Sequence, residues 1–220
     1  IDAEQGWVLP AFCDPHTHMV FATSREAEFV DKLQGLSYEE IAARGGGILN
    51  SARKLEEMDE EELYDRSFQR YEAALGMGLG AIEMKSGYGL TVEDELKILR
   101  VIKRLKADGR AQVKATCLVL HAVPLAYKAN KTAFVRYMLD NLMPRVVDEG
   151  LADYVDVFCE RNYFDVEDML ELMAWGNKHG LPAKVHVNQF NSFGAIAAAV
   201  QSGALSVDHL EVMEKADLEA

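Results

Sequence analysis

Short apolar runs alternate with stretches of helical periodicity along most of the chain. The first run, Trp7-Val8-Leu9-Pro10-Ala11-Phe12, leads to Asp14-Pro15-His16-Thr17-His18 and predicts a first buried strand. A capping box at Ser37 and Glu40 predicts a helix that stops at Gly45-Gly46-Gly47. Tyr64, Phe68, Tyr71 and Leu75 recur at spacings of four, three and four, which predicts an amphipathic helix over 60–75. Gly76, Gly78 and Gly80 come next. A phosphate-binding loop needs its glycines between a strand and the helix after it, so the order here makes them a helix stop.

The alternation continues to the end. A strand over 81–85 leads into Ser86-Gly87-Tyr88-Gly89-Leu90, and Thr91 caps a helix with Leu96, Leu99, Ile102 and Leu105 on its apolar side. Further strands are predicted over 113–120, 152–159, 183–185 and 204–207, with helices over 132–149, 166–179 and 193–202 between them. Strands this uniformly apolar are buried on both faces, as in a parallel sheet covered by helices. The fold class is therefore α/β.

Almost every predicted strand ends in a polar or ionisable residue: His18, Lys85, His121, Glu160, His186 and Asp208-His209. An open doubly wound sheet gathers its ligands at one switch point. Polar ends on nearly every strand instead favour a closed (β/α)8 TIM-type barrel, whose sites sit at the C-terminal strand ends. Six strands supply about six of the eight βα units, and residues 1–220 are expected to form one barrel domain. Ile1-Asp2-Ala3 opens in mid-phrase, which leads us to expect a piece of a longer protein, truncated at both ends.

Composition narrows the partners. Asp plus Glu number 36 against 23 Lys plus Arg, a formal net charge of −13. That balance argues against nucleic-acid backbones and anionic membranes. Much of the acid lies in Glu56-Glu57-Met58-Asp59-Glu60-Glu61-Glu62, a solvated helix entry. Cys13, Cys117 and Cys159 each lie in an apolar run without a C-x-x-C pattern, and are expected as reduced core residues of an intracellular protein. No signal peptide and no apolar run near 18 residues is seen, so a soluble protein is expected.

The candidate chemistry is histidine-based. In an extended chain, residues i and i+2 face the same way, so His16 and His18 can aim at one point and suit a metal with nitrogen ligands. Two unrelated polar residues at a strand end would look the same. Of six histidines, however, His16, His18, His121, His186 and His209 all lie at predicted strand ends. His179 sits at a helix C-terminus, where it suits the dipole.

H-x-H on the first strand with single histidines on later strands resembles the amidohydrolase superfamily of metal-dependent barrel hydrolases. Within it, five segments resemble the imidazolonepropionase family: Asp14 to Ala22, Lys85-Ser86-Gly87-Tyr88-Gly89-Leu90, His121-Ala122-Val123-Pro124, Asp156-Val157-Phe158-Cys159-Glu160, and Ala204 to Glu211. The resemblance implies hydrolysis of the ring C–N bond of 4-imidazolone-5-propanoate to N-formimidoyl-glutamate, in histidine degradation. It implies one divalent Zn or Fe ion on His16, His18 and His186. Arg25, Tyr88, His121 and Gln189 would contact a small anionic substrate, with Gln189 and His209 in catalytic roles. It further implies a cytoplasmic enzyme, a homodimer as the full-length protein, with no nucleic-acid or membrane partner.

The physical logic agrees. A metal with an open position brings the pKa of bound water to roughly 7, and Arg25 offers a planar fork for a carboxylate. Arg25 could equally be a surface residue beside Glu26 and Glu28, and Tyr88 a simple turn residue. Two departures stand out. Val187-Asn188 replaces the family's usual Ala-Asp, which is expected to alter the surroundings of the metal ligands. The family's last Asp ligand and its small flanking β-rich domain have no counterpart, so residues 1–220 alone are expected to hydrolyse inefficiently. Two rivals remain: another amidohydrolase, such as a cyclic-amide hydrolase or heterocycle deaminase, and a catalytically inactive barrel scaffold.

Overall fold

The computed structural model describes residues 2, 4–36, 40 and 46–220. The helix expected over 37–44, with its Ser37 cap, lies outside the described residues apart from Glu40. Among the described residues, six strands form one sheet: β1 (Phe12–Thr17), β2 (Leu79–Lys85), β3 (Gln112–Leu120), β4 (Tyr154–Cys159), β5 (Lys184–Val187) and β6 (Ser206–His209). All neighbours are parallel, and their spatial order equals their order in the chain. That order decides between the two architectures. A doubly wound sheet reverses direction partway, whereas here every crossover steps the same way and the sheet curls into a near-closed barrel. The curl brings the first and last strands together across the interior, with His16 Nδ1 2.9 Å from Asp208 Oδ2.

The crossovers are helical. α1 (Glu26–Leu33), α2 (Ile48–Glu57) and α3 (Glu60–Gly76) lie between β1 and β2, and α4 (Val92–Asp108) between β2 and β3. α5 (Lys131–Asn141) and α6 (Met143–Asp148) precede β4, α7 (Val166–Lys178) precedes β5, α8 (Ala195–Gln201) precedes β6, and α9 (Lys215–Leu218) follows. The Thr91 cap forms as expected, accepting from Asp94 N at 3.1 Å. α4 buries Leu96, Ile98, Leu99, Val101, Ile102 and Leu105 completely. At about 1.5–3 kcal/mol for each fully buried side chain, this face anchors the helix ring to the sheet. On α3 the most buried residues are Leu63, Ser67 and Tyr71, while Tyr64 lies under the Arg104 guanidinium, 3.8 Å from its ring centre.

Three expectations need correction. The run from Trp7 to Ala11 is not a strand: β1 starts at Phe12, and Trp7, Val8 and Leu9 are exposed. The helix expected over 132–149 is two helices that meet at Leu142, because Pro144 cannot donate to a preceding carbonyl and instead suits a new first turn. Cys13 is exposed, since it belongs to β1, whose residues 12–15 are all uncovered; Cys117 and Cys159 are buried as expected.

Close backbone approach constrains one helix strongly. A Cβ on Gly176 of α7 would meet the Leu181 carbonyl oxygen at 2.5 Å and Val155 Cγ2 at 2.8 Å. Gly176→Ala is expected to destabilise the barrel by about 1–3 kcal/mol, as overpacking does. Urea denaturation measures this; an unchanged midpoint would mean that the helix can move away at no cost.

Candidate functional site

The strand ends bring the histidines together. His16 lies in β1 and His186 in β5, His209 ends β6, and His18 and His121 follow β1 and β3 directly. Ring centres of His16 and His186 are 4.4 Å apart, those of His186 and His209 4.9 Å, and those of His16 and His209 5.1 Å. Among the described residues, one ring nitrogen from each of these three lies within 4.8 Å of the others. His18 stands beside this trio, 5.7 Å from His16 and 5.8 Å from His186, and stacks on His121 at 5.4 Å. The pairing of β1 with β2 shifts register between Asp14 and Thr17, so strict alternation does not carry through to His18.

Carboxylates hold the rings from below. His16 Nδ1 donates to Asp208 Oδ2 at 2.9 Å. His186 Nδ1 lies 2.8 Å from Asp156 Oδ2, but outside the direction of a hydrogen bond. Burial would raise the Asp156 carboxyl, yet His186 and Lys85 outweigh it and bring it down to about 2. Burial likewise opposes ionisation of Asp208, but His16, Lys85 and Lys184 hold it below the usual carboxylate range. Burial pushes His186 below the ordinary imidazole value in spite of Asp156. His18 is held well below it by burial and by the neighbouring His121, His186 and His16. Neutral imidazoles are the form that binds metal.

The donor set fits a divalent cation. His18 Nδ1 and His186 Nε2 are buried with no hydrogen-bond partner, an arrangement that is costly unless something takes their lone pairs. With Asp208 on its Nδ1, His16 keeps its Nε2 lone pair free.

Beside the imidazoles opens a cavity of about 620 Å³, lined in part by Arg25, Tyr88, His121 and Gln189. These are the four substrate contacts expected from the sequence, and one space unites them. Arg25 Nη2 also pairs with Glu28 Oε2 at 2.7 Å, and Glu28 lines the same cavity. His121 Nδ1 donates to the Gly87 carbonyl at 2.9 Å, which leaves Nε2 unprotonated; burial and His186 push its pKa down to about 3. Tyr88 lies 5.0 Å from His18 and 5.6 Å from His121, ring to ring.

Two buried glutamates brace the cavity wall: Glu160, expected only as a polar strand end, and Glu95, which sequence reasoning missed. Glu95 of α4 accepts from the backbone amides of Gly87, Gly89 and Leu90 at 2.8, 2.7 and 3.0 Å, fixing the turn that carries Tyr88. Glu160, at the end of β4, accepts from Phe190 N and Asn191 Nδ2, both at 2.8 Å, fixing the turn that carries Gln189. Glu95 is hidden in the sequence as the third of three consecutive acids in a first helical turn, and Glu160 stands as one acid before an Asn-containing turn, so neither gives a strong signal.

Asn188 makes a link between segments. Its amide nitrogen donates to Val212 O at 3.0 Å and Asp217 Oδ2 at 3.1 Å, so it ties β5 to the segment after β6. An Asp at this position would face Asp217 carboxylate to carboxylate. Support of the imidazoles falls instead to Asp156 and Asp208. Left-handed backbone at Asn188 (φ 53°), His209 (φ 81°) and Leu210 (φ 65°) stores strain of about 1–3 kcal/mol per residue beside the cluster.

Known proteins add a consistent likeness. No family model matches the chain. It is 54% identical over 220 residues to the imidazolonepropionase of Flavobacterium johnsoniae, covering 100% of this chain and 54% of that protein. It is 51% identical over 219 residues to the imidazolonepropionase of Christiangramia forsetii, covering 100% of this chain and 53% of that one. The chain thus spans about half the length of the curated relatives it matches. Among solved structures, it is similar to 5-methylcytosine deaminase from Klebsiella pneumoniae liganded with phosphonocytosine. There the TM-score is 0.62 and the identity 16%, over 88% of this chain and 45% of that one. It is also similar to an amidohydrolase from Burkholderia ambifaria with bound Zn, with TM-score 0.55 and 16% identity, over 91% of this chain and 58% of that one. These two likenesses bear on the barrel fold alone.

Proposed function

We infer, from a chain that belongs to the imidazolonepropionase family along the half of those proteins it spans, that its barrel mouth serves hydrolysis of 4-imidazolone-5-propanoate to N-formimidoyl-glutamate. The observation that carries this is the single cavity joining Arg25, Tyr88, His121 and Gln189 beside the imidazole cluster. His16, His18 and His186 would hold one divalent ion, Zn or Fe, and His16 and His186 already have Nδ1 turned to Asp208 and Asp156. When bound, such an ion supplies Lewis acidity, polarising the ring carbonyl and acidifying water.

The chain's own groups do the rest. Ring opening requires a proton to leave the attacking water and another to reach the departing ring nitrogen. His209 is our choice for that transfer, 4.9 Å from His186 and held at Nδ1 by Glu211 Oε1 at 3.1 Å. Gln189 supplies an amide that can both donate and accept, which suits a ring bearing N–H and C=O groups. Tyr88 and His121 form an aromatic wall against which a flat ring can lie. Neutral His121 contributes an acceptor at Nε2 without adding charge.

Arg25 recognises the propionate, and to do so its guanidinium must share itself with Glu28 or release it. That pair favours a second reading, an uncharged heterocycle as substrate of a related hydrolase. Arg25→Ala separates them. Charge-assisted hydrogen bonds are worth about 1.5–3 kcal/mol, so KM for imidazolone-propanoate should rise roughly 10–100-fold with kcat little changed. Unchanged KM, or faster turnover of uncharged heterocycles by the parent, would favour the second reading. We also place the protein in the cytoplasm as a homodimer with residues 1–220 as one barrel domain. Among the described residues no helix is long and apolar enough to cross a membrane.

A further inference from the structure

Beneath the imidazoles, one lysine joins their supports. Lys85 Nζ lies 2.6 Å from Glu83 Oε1, 2.9 Å from Asp156 Oδ2 and 3.1 Å from Asp208 Oδ2, with its side chain wholly shielded from solvent. The same Asp156 oxygen lies 2.8 Å from His186 Nδ1, and the same Asp208 oxygen lies 2.9 Å from His16 Nδ1. Rings from β5 and β1 thus lean on one post that rises from β2. We propose that Lys85 is a positioning residue for the metal: it fixes both aspartates so that His16 and His186 turn their other ring nitrogens to a single divalent cation. The proposal rests on the metal reading above.

The chemistry of the post suits the task. An ammonium offers three donors, and three carboxylates meet it. Lys184 Nζ adds a second cation, 2.6 Å from Glu83 Oε2. Two cations, Lys85 and Lys184, against three carboxylates, Glu83, Asp156 and Asp208, leave the group one negative charge in excess. That excess complements a cation above it. Thr116 Oγ1 donates to Glu83 Oε1 at 2.6 Å, so Glu83 is itself fixed and cannot draw Lys85 away from the aspartates. If the ammonium were lost, Asp156 and Asp208 would repel each other, and each would turn its imidazole with it.

Lys85→Met should weaken Zn²⁺ binding by up to roughly 10–100-fold, the usual effect of losing an outer partner of a metal ligand, because it releases both aspartates that are such partners. Competition with a chromophoric chelator measures the affinity, and the visible spectrum of the Co²⁺ form reports ligand geometry. Because Lys85→Met leaves three carboxylates facing each other, the double variant Lys85→Met/Glu83→Gln keeps the charge balance and guards against simple unfolding. Weaker Zn²⁺ binding and a changed Co²⁺ spectrum, in a double variant that melts like the parent, support the proposal. Parent-like affinity in either folded variant overturns it, as does failure of both variants to fold, which would make Lys85 a folding residue. A parent protein that binds no Zn²⁺ overturns the metal reading and this proposal together, an outcome distinct from a parent and a variant that bind equally.

Discussion

On the proposed reading, His186→Ala should abolish metal retention and hydrolysis together. His186 is the most deeply placed imidazole of the cluster, 1% exposed, with Nε2 buried and unpartnered. Its ring is the neighbour common to His16 at 4.4 Å and His209 at 4.9 Å. Loss of an outer partner costs a metal site roughly 10–100-fold, and loss of a direct ligand should exceed that. We therefore expect less than about one hundredth of the parent's affinity for Zn²⁺ or Fe²⁺, read by metal analysis after dialysis, and no measurable turnover. His18→Ala should behave in the same way if His18 is the third ligand. His209→Ala should keep the metal and lose rate if His209 moves protons. The compact trio of His16, His186 and His209 makes this comparison informative. Metal lost in His209→Ala but kept in His18→Ala would exchange the two roles.

Much of the barrel is legible because its strands are buried on both faces. Runs such as 113–120 are apolar with little alternation, and each ends where a polar residue reaches the mouth. The segment from Trp7 to Ala11 shows the limit of that logic, since an apolar run becomes a strand only if a neighbour pairs with it. β2 pairs with Phe12 onward, and Trp7 is 92% exposed. The break at Leu142 had a local signal in Pro144, hidden by the continuous helical periodicity around it. The interior charges also had one: Glu83 and Lys85, like Lys184 and His186, are two apart on a strand and so share a face. What no local rule supplies is which charges meet. Asp156 and Asp208 reach Lys85 only once β4 and β6 curl round to β2. The same closure brings His209 close to His16, which spacing along the chain cannot foresee.

The largest stability effect should come from Glu95→Ala. The Glu95 side chain is buried, and burial pushes its carboxyl up against the pull of Ser86 and of the amides of Leu90, Gly87 and Gly89. Those three amides have Glu95 as their acceptor, at 2.7–3.0 Å. Leu90 has φ 58° and Gly87 φ 108°, so the turn is held in a conformation it would not keep unaided. Each donor left buried without an acceptor costs about 1–3 kcal/mol. With some water entering the space, we expect a total near 3–5 kcal/mol. At about 2–4 °C per kcal/mol for a chain of this size, the melting temperature should fall by roughly 6–20 °C. Glu95→Gln keeps one acceptor oxygen and should lose less than half as much. Gly89→Ala attacks the same turn from the other side, because its Cβ would meet Glu95 N at 2.5 Å. The functional consequence follows from the geometry. Releasing the turn frees the Gly87 carbonyl that holds His121 and the backbone that presents Tyr88, so KM for the proposed ring substrate should rise even in the milder Gln variant. A Glu95→Ala protein that melts within about 2 °C of the parent would show that the amides find other partners, and would remove Glu95 from any part in shaping the cavity.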